Sequence, residues 1–292
     1  MKKSEYLTTI SDFIEYFAKI INGTAKVDHY YYNRDRRFTG DRNVSIIDLR
    51  DAFRIYEWAR SKYDESNNKL ITMKANYEAD IGLAIDDDAR DDVCLKLIEN
   101  VMAWGFGVNR NPYKDNMKWA TDRQSGLHQR IERGKVILEM DDPDTSEFAT
   151  ELKMNAGYTK VYALLCQRSI IYDGRVGAAL GFLVRKYCIK FEQNRVPDAL
   201  KFPWGRPSSN SKGFSRDPSG DGLSFVALST NSKAHAEWNI RANWLIEAAI
   251  AKATANRMHE GASQGWWEGE DGMRKVEAAL FMLGYRFDQG GL

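Results

Sequence analysis

The residues best suited to chemistry lie in "MNAGYTKVYALLCQRSIIYDGRVGAALGFLVRK", residues 154–186. Lys160 and Asp173 stand thirteen positions apart there, with one chain reversal between them. A desolvated lysine amine is a nucleophile that forms Schiff bases. A carboxylate at a helix N-terminus accepts backbone N–H bonds, which favours its charged form. In the breaking of an N-glycosidic bond, for example, either group could serve. Positive charge builds on the deoxyribose, a fixed carboxylate opposes it, and the same carboxylate orients or deprotonates the attacking group. Attack by the amine at C1′ leads through a Schiff base to strand cleavage by β-elimination. Attack by water releases the base alone.

The elements that would hold these groups follow from local signals. Glu147–Met154 suits a short helix, and Asn155-Ala156-Gly157-Tyr158 a tight turn in which Gly157 takes a positive φ. Thr159 then serves as N-cap for a helix over Lys160–Cys166. A helix starting there exposes backbone N–H groups, so Gly157, Tyr158 and Thr159 are expected to form a phosphate site, a DNA-binding one if the resemblance below holds. Gln167-Arg168-Ser169 breaks that helix, and Ile170-Ile171-Tyr172 leads inward to Asp173. Gly174, Gly177, Ala178 and Gly181 form a stripe of small residues on the next helix, which admits another backbone or a ligand closely.

This segment resembles the helix-hairpin-helix DNA glycosylases, which pair a hairpin-borne lysine with an aspartate opening the next helix. "NAGYTKVYALL" is similar to their hairpin and second helix, and "IIYDGRVGAAL" to their apolar run followed by Asp-x-x-Val. The likeness is strongest to a bacterial group related to 8-oxoguanine glycosylases, which includes anti-phage enzymes excising glucosylated hydroxymethylcytosine. It covers about residues 90–185, and "AEWNIRANWLIEAA" adds to it. A single Gly157 stands where the family carries Gly-x-Gly. The resemblance implies a mostly α, two-lobed helix-hairpin-helix fold with few short strands. It also implies a glycosylase active in phage defence or base-excision repair, with an added lyase step if the amine attacks. Asp173 and Lys160 would then be catalytic, the partner double-stranded DNA carrying a modified base, and the protein a monomer without a cofactor.

The rest of the chain supplies candidate binding surfaces. Net charge is only +1, so bulk charge announces no polyanion binder. Residues 185–216, however, carry Arg185, Lys186, Lys190, Arg195, Lys201, Arg206, Lys212 and Arg216 against Glu192 and Asp198 alone. Residues 197–222 hold four of the six prolines and read as an irregular loop. Arg206, Lys212 and Arg216 in it, with Arg175 beside Asp173, are expected to grip DNA without reading its sequence. A flipped base needs a pocket. Trp104 in Trp104-Gly105-Phe106-Gly107, and Asn239, Arg241, Asn243 and Trp244 in one helical stretch, are the candidates for it. Trp266-Trp267, in a glycine-bounded loop, offers exposed indoles.

Helical spacing fixes the fold class. Phe13, Phe17, Ile20 and Ile21 make one stripe; Ile47, Leu49, Ala52, Ile55, Tyr56 and Ala59 make another. Further helices are expected over Val93–Met102, ending at Gly105, over about 234–258, and after Gly272. Val136–Leu138 and Phe225–Leu228 are the strand candidates. Three regions are expected: 1–75, packing with the C-terminal helices, a helical core over 76–186, and 187–292 with the basic loop. No apolar run approaches a membrane span, and Glu5, Asp12 and Glu15 interrupt the N-terminus, so a cytoplasmic protein is expected. Cys94, Cys166 and Cys188 are too few for a four-thiolate centre, and the histidines lack paired spacing, so no metal is expected.

Two other readings remain open. Asp144, Glu151 and Lys153 fit the Pro-Asp…Glu-x-Lys spacing of metal-dependent nucleases, with Val136–Leu138 as the preceding strand. A non-catalytic hairpin module that only holds DNA would keep the basic loop and make Asp173 dispensable.

Overall fold

The computed structural model of the chain describes residues 1–206, 215–259 and 263–287. The chain is mostly helical, with few short strands. It begins with α1 (Lys3–Thr9) and α2 (Ser11–Ile21), then the strands β1 (His29–Tyr32) and β2 (Asn43–Ile46). α3 (Leu49–Arg54) leads to a second hairpin, β3 (Glu57–Trp58) and β4 (Ser61–Lys62). Next come α4 (Tyr63–Leu83), α5 (Asp87–Phe106), α6 (Asn111–Thr121), α7 (Leu127–Glu139) and α8 (Tyr158–Leu165). α9 (Gly174–Lys190), α10 (Ser232–His259) and α11 (Gly272–Leu283) complete the chain. Among the described residues no helix is long and apolar enough to cross a membrane.

Two compact units form, and they are not consecutive in sequence. One comprises the described parts of Met1–Tyr63, Tyr172–Ser229 and Arg241–Leu292; the other comprises Asp64–Ile171 and Thr230–Ile240. This differs from the expected division at 75 and 186. Periodicity locates elements but not their partners, so the return of the chain at Tyr172 leaves no mark in the sequence.

In the first unit α11 packs on α3 and α9, and α2 also packs on α9. Phe13, Phe17, Ile20 and Ile21 are buried, as their spacing predicts, and the Phe13 and Phe17 rings stack at 6.1 Å. β1 and β2 pair antiparallel, from His29 opposite Ile46 to Tyr32 opposite Asn43. The expected helix through Ala59 stops at Arg54. Beyond it Ala59 and Arg60 both take positive φ, 50° and 69°, which suits the two-residue turn joining β3 and β4. Phe225–Leu228 forms no strand; Ala227 makes a single parallel bridge to Trp204.

In the second unit α5 packs against α6, α7 and α8. The buried Asp91 of α5 accepts from the Gly126 and His128 N–H groups at 2.6 and 2.8 Å, closing the start of α7. Val136–Leu138, expected as a strand, lies inside α7. Leu127, Ile131, Gly134 and Leu138 are buried there at helical spacing, which overrides a short apolar triplet. The expected helix over 147–154 is only a 3-10 turn, Ser146–Ala149.

Candidate active site

Asp173 is the N-cap of α9. Its backbone is extended and its Oδ1 accepts from the Arg175 and Val176 N–H groups at 2.8 and 3.1 Å. The side chain is half-buried, and among the described residues Oδ2 enters no hydrogen bond or ion pair. One oxygen therefore fixes the carboxylate while the other stays available. The preceding Tyr172 is fully buried and donates its hydroxyl to the Pro203 carbonyl at 2.9 Å. Burial, with Tyr6 and Asp173 nearby, pushes that phenol well above its ordinary range, so it remains a donor.

The small stripe does admit another backbone, and the visitor is the chain itself. A Cβ at Gly174 would meet the Gly205 backbone, one at Gly177 the Pro203 carbonyl, and one at Gly181 the Pro218 ring. The Gly205 N–H donates to the Gly174 carbonyl at 3.0 Å. Gly284, just after α11, approaches the Arg175 carbonyl too closely for any side chain. The first turn of α9 is thus clamped from two directions, and Asp173 with it.

Arg216 lies within electrostatic reach of Asp173 and of Arg175. The half-buried Arg175 guanidinium lies 4.3 Å from the Phe281 ring, 4.9 Å from Tyr285 and 5.8 Å from Trp58. Among the described residues it forms no ion pair or side-chain hydrogen bond. Arg216 donates through Nε to the Tyr285 carbonyl at 3.2 Å. Burial lowers its pKa to about 10, Arg175 adds to that, and Asp173 and Tyr285 oppose it. Arg206 is exposed and directly follows the Gly205 that packs on α9. Lys212 lies outside the described residues. Tyr285 was not visible as a site residue, yet it joins the group. Its hydroxyl accepts from the Arg34 N–H at 2.9 Å, its ring stacks on Tyr31 at 5.3 Å, and Arg175 sits over it. Such an arrangement presents a fixed carboxylate with one open oxygen, able to oppose a nascent cation, with the Arg216 guanidinium within its electrostatic reach.

Lys160 belongs to the other unit, and its surroundings correct the expected phosphate-binding hairpin. Gly157 has φ −76°, in the right-handed region, and it rather than Thr159 is the N-cap of α8. Asn155 does the capping. Its Oδ1 accepts from the Gly157 and Tyr158 N–H groups at 2.8 and 3.0 Å. Thr159 N–H reaches the Asn155 carbonyl and Lys160 N–H the Gly157 carbonyl, at 2.9 and 3.0 Å. The N-cap and the first three helical N–H groups are therefore engaged, and Gly157, Tyr158 and Thr159 are buried. Glycine is needed at 157 for room, because a Cβ would stand 2.6 Å from the Asn116 amide nitrogen. Lys160 itself is only 6% exposed. Its ammonium donates to the Ala156 carbonyl at 2.5 Å and lies 4.7 Å from the Phe106 ring centre, and its stem runs along Gly105. Gly105 thus makes space for the lysine, while Trp104 beside it is half-buried.

The expected base-reading face on α10 is occupied by the fold. Asn239 is fully buried; its amide donates to the Ile170 carbonyl at 3.1 Å and its oxygen accepts from Ser169 at 3.5 Å. Asn243 and Trp244 are buried, the latter against Tyr6 with ring centres 5.9 Å apart, and Arg241 is half-buried. The indoles of the 263–267 loop are not exposed platforms either. Trp267 is buried and donates to Thr254, and Trp266 donates to the Ile21 carbonyl and stacks on Phe53. The nuclease geometry is missing as well. Its leading strand is part of α7, and Glu151-Leu152-Lys153 sits in irregular chain with Leu152 buried and Glu151 facing Arg130 at 3.9 Å. No protein-family model matches the sequence, and no curated protein or solved structure matches the chain.

Proposed function

We propose that this protein is a DNA glycosylase of the helix-hairpin-helix kind, acting on a modified base in double-stranded DNA. The observation that carries the reading is the half-satisfied carboxylate of Asp173, fixed through Oδ1, unengaged at Oδ2 and within electrostatic reach of Arg216. In the reaction, the bond between C1′ and the base breaks, and its electron pair leaves with the base. The sugar becomes cationic, and Asp173 opposes that charge from a fixed position, without reorganisation at the moment of reaction. Water then attacks C1′, and its proton passes to the carboxylate. Arg206, which is exposed, and Arg175, which forms no ion pair among the described residues, supply phosphate contacts beside the extruded nucleotide. Lys160 is not given a chemical role here, because its ammonium is spent on Ala156 and Phe106. Water as the nucleophile makes the enzyme monofunctional.

The test is incubation with duplexes carrying oxidised, deaminated or glucosylated bases, followed by alkali to cut at abasic sites. Release of one modified base by wild type, lost in Asp173→Asn, supports the reading. Release that survives the substitution removes it.

A further inference from the structure

The β1–β2 hairpin carries a surface that the Asp173 site does not use. β1 reads His-Tyr-Tyr-Tyr, and its burial alternates: Tyr31 is buried with its hydroxyl on the Met282 carbonyl at 2.9 Å, whereas Tyr30 and Tyr32 are 63% and 42% exposed. Their cross-strand partners are Ser45 and Asn43, which are too small to cover a ring. Among the described residues neither tyrosine makes a ring contact. The connecting loop, "NRDRRFTGDR", adds Arg34, Arg36, Arg37 and Arg42, all exposed. Its acids are already engaged: Asp35 pairs with Arg37 at 2.9 Å, and Asp41 accepts from the Asn43 N–H at 2.9 Å. The side chains of Arg36 and Arg42 enter no hydrogen bond or ion pair among the described residues.

Two tyrosines on one face of a strand are two residues apart, about 6.8 Å. That is roughly twice the 3.4 Å rise per base of a nucleic-acid strand. An exposed aromatic face stacks on a base only if the base face is itself exposed, which an intact duplex does not allow. Four arginines against two aspartates leave the loop with an excess of positive charge beside the rings, which complements a phosphate backbone. We infer that the outer face of this hairpin binds unpaired DNA, with Tyr30 and Tyr32 stacking on bases and Arg36 and Arg42 on the flanking phosphates. The choice of DNA rests on the glycosylase reading, in which extruding a nucleotide leaves the neighbouring stack open. The hairpin is tied to that site through Tyr285, whose hydroxyl holds the Arg34 N–H and whose ring underlies Arg175.

The experiment is fluorescence anisotropy of the full chain with labelled oligo-dT, with a blunt duplex of equal length and with oligo-U. Tyr30→Ala with Tyr32→Ala should weaken oligo-dT binding about tenfold or more, at one stacked base per ring, and change duplex binding less than twofold. Tyr30→Phe with Tyr32→Phe keeps the rings and should bind as wild type does. Arg36→Ala with Arg42→Ala should flatten the plot of log affinity against log salt by about 0.7 per lost phosphate contact. Circular dichroism and thermal unfolding of each variant check the fold. Oligo-dT binding within twofold of wild type after ring removal overturns the inference, as does wild-type protein that does not bind oligo-dT or prefers oligo-U. A dimer in sedimentation that the alanine pair abolishes also overturns it, since a second copy would then cover the face. The binding assay uses unmodified DNA, so its outcome is independent of base release. A platform that binds beside an Asp173 without effect on excision would leave this inference standing and remove the glycosylase.

Discussion

Asp173 and Lys160 are equally conspicuous in the sequence, yet their surroundings differ in kind. At Asp173 the fold satisfies one oxygen and leaves the other open, with Arg216 within electrostatic reach. At Lys160 each backbone donor of the first turn has an acceptor, the ammonium has a carbonyl, and the stem has a glycine to lie on. The first neighbourhood has bonding capacity to spare for a ligand. The second has used its capacity on the fold. A residue type that can do chemistry is free for it only where its polar atoms are not already committed.

Several substitutions sharpen that contrast, beginning with the largest expected loss of stability. Gly177→Ala sets a methyl against the Pro203 backbone carbonyl, which cannot step aside without moving the clamp on α9. It should destabilise the protein by about 3 kcal/mol, the upper end for overpacking. Gly157→Ala meets the Asn116 side-chain amide rather than backbone, and should cost less, about 1–2 kcal/mol, through the hydrogen bonds of Asn116 to Pro112 and Asn155. Thermal unfolding of the two variants compares them directly, and equal losses would contradict the distinction.

Glu57 anchors the loop of the tyrosine-bearing hairpin by accepting from Thr39 N–H and Oγ1, at 2.9 and 2.6 Å, and from Lys62 at 2.8 Å. Burial acts to raise its carboxyl, but these hydrogen bonds outweigh burial and hold it below the ordinary value of 4.5. A carboxyl depressed in the folded state stabilises fully above the unfolded value, and loses that contribution as pH falls through the folded one. Glu57→Gln should therefore cost about 1–3 kcal/mol at neutral pH, with the gap to wild type narrowing as pH drops below 4.5. Urea titrations across that range measure it; a gap independent of pH would contradict the account.

In the lysine neighbourhood, Asn155→Ala removes the cap of α8 and should cost about 1 kcal/mol, read as a lowered Tm. The smallest effect is expected from Lys160→Met, which keeps the stem against Gly105. Base release should stay within about threefold of wild type, and borohydride should trap no covalent DNA adduct from either protein. An adduct from wild type alone would restore Lys160 to the chemistry.

The sequence carried α2 and α11 well, because they repeat apolar residues at 3.6 spacing over two or more turns, whereas α4, which lacks a clear apolar stripe, was not legible and the expected boundary at 75 falls inside it. Asp173 was legible for a similar reason: an apolar run ending in Asp-Gly is a strong helix start, and it starts α9. The β1–β2 hairpin was not legible, since three successive tyrosines hide the alternation that decides which ring is buried. Nor was the β3–β4 turn, where Ala59 and Arg60 hold positive φ without the glycine or asparagine that would announce it. Gly157 was read as a conformational glycine and is a spatial one, a difference set by Asn116 some forty residues earlier. Tyr285 entered the site through contacts distant in sequence, for which no local pattern exists.

The central claim is that the open oxygen of Asp173 does the work at the sugar. It is tested most directly by single-turnover base release, comparing wild type with Asp173→Asn on the modified duplex that wild type cleaves, with DNA affinity measured in parallel. Asparagine keeps an oxygen for the Arg175 and Val176 N–H groups and removes the charge. The account predicts release slowed by ~10²-fold or more, with affinity for the same duplex nearly unchanged. Release within a few-fold of wild type, from a variant that folds and binds normally, would contradict it.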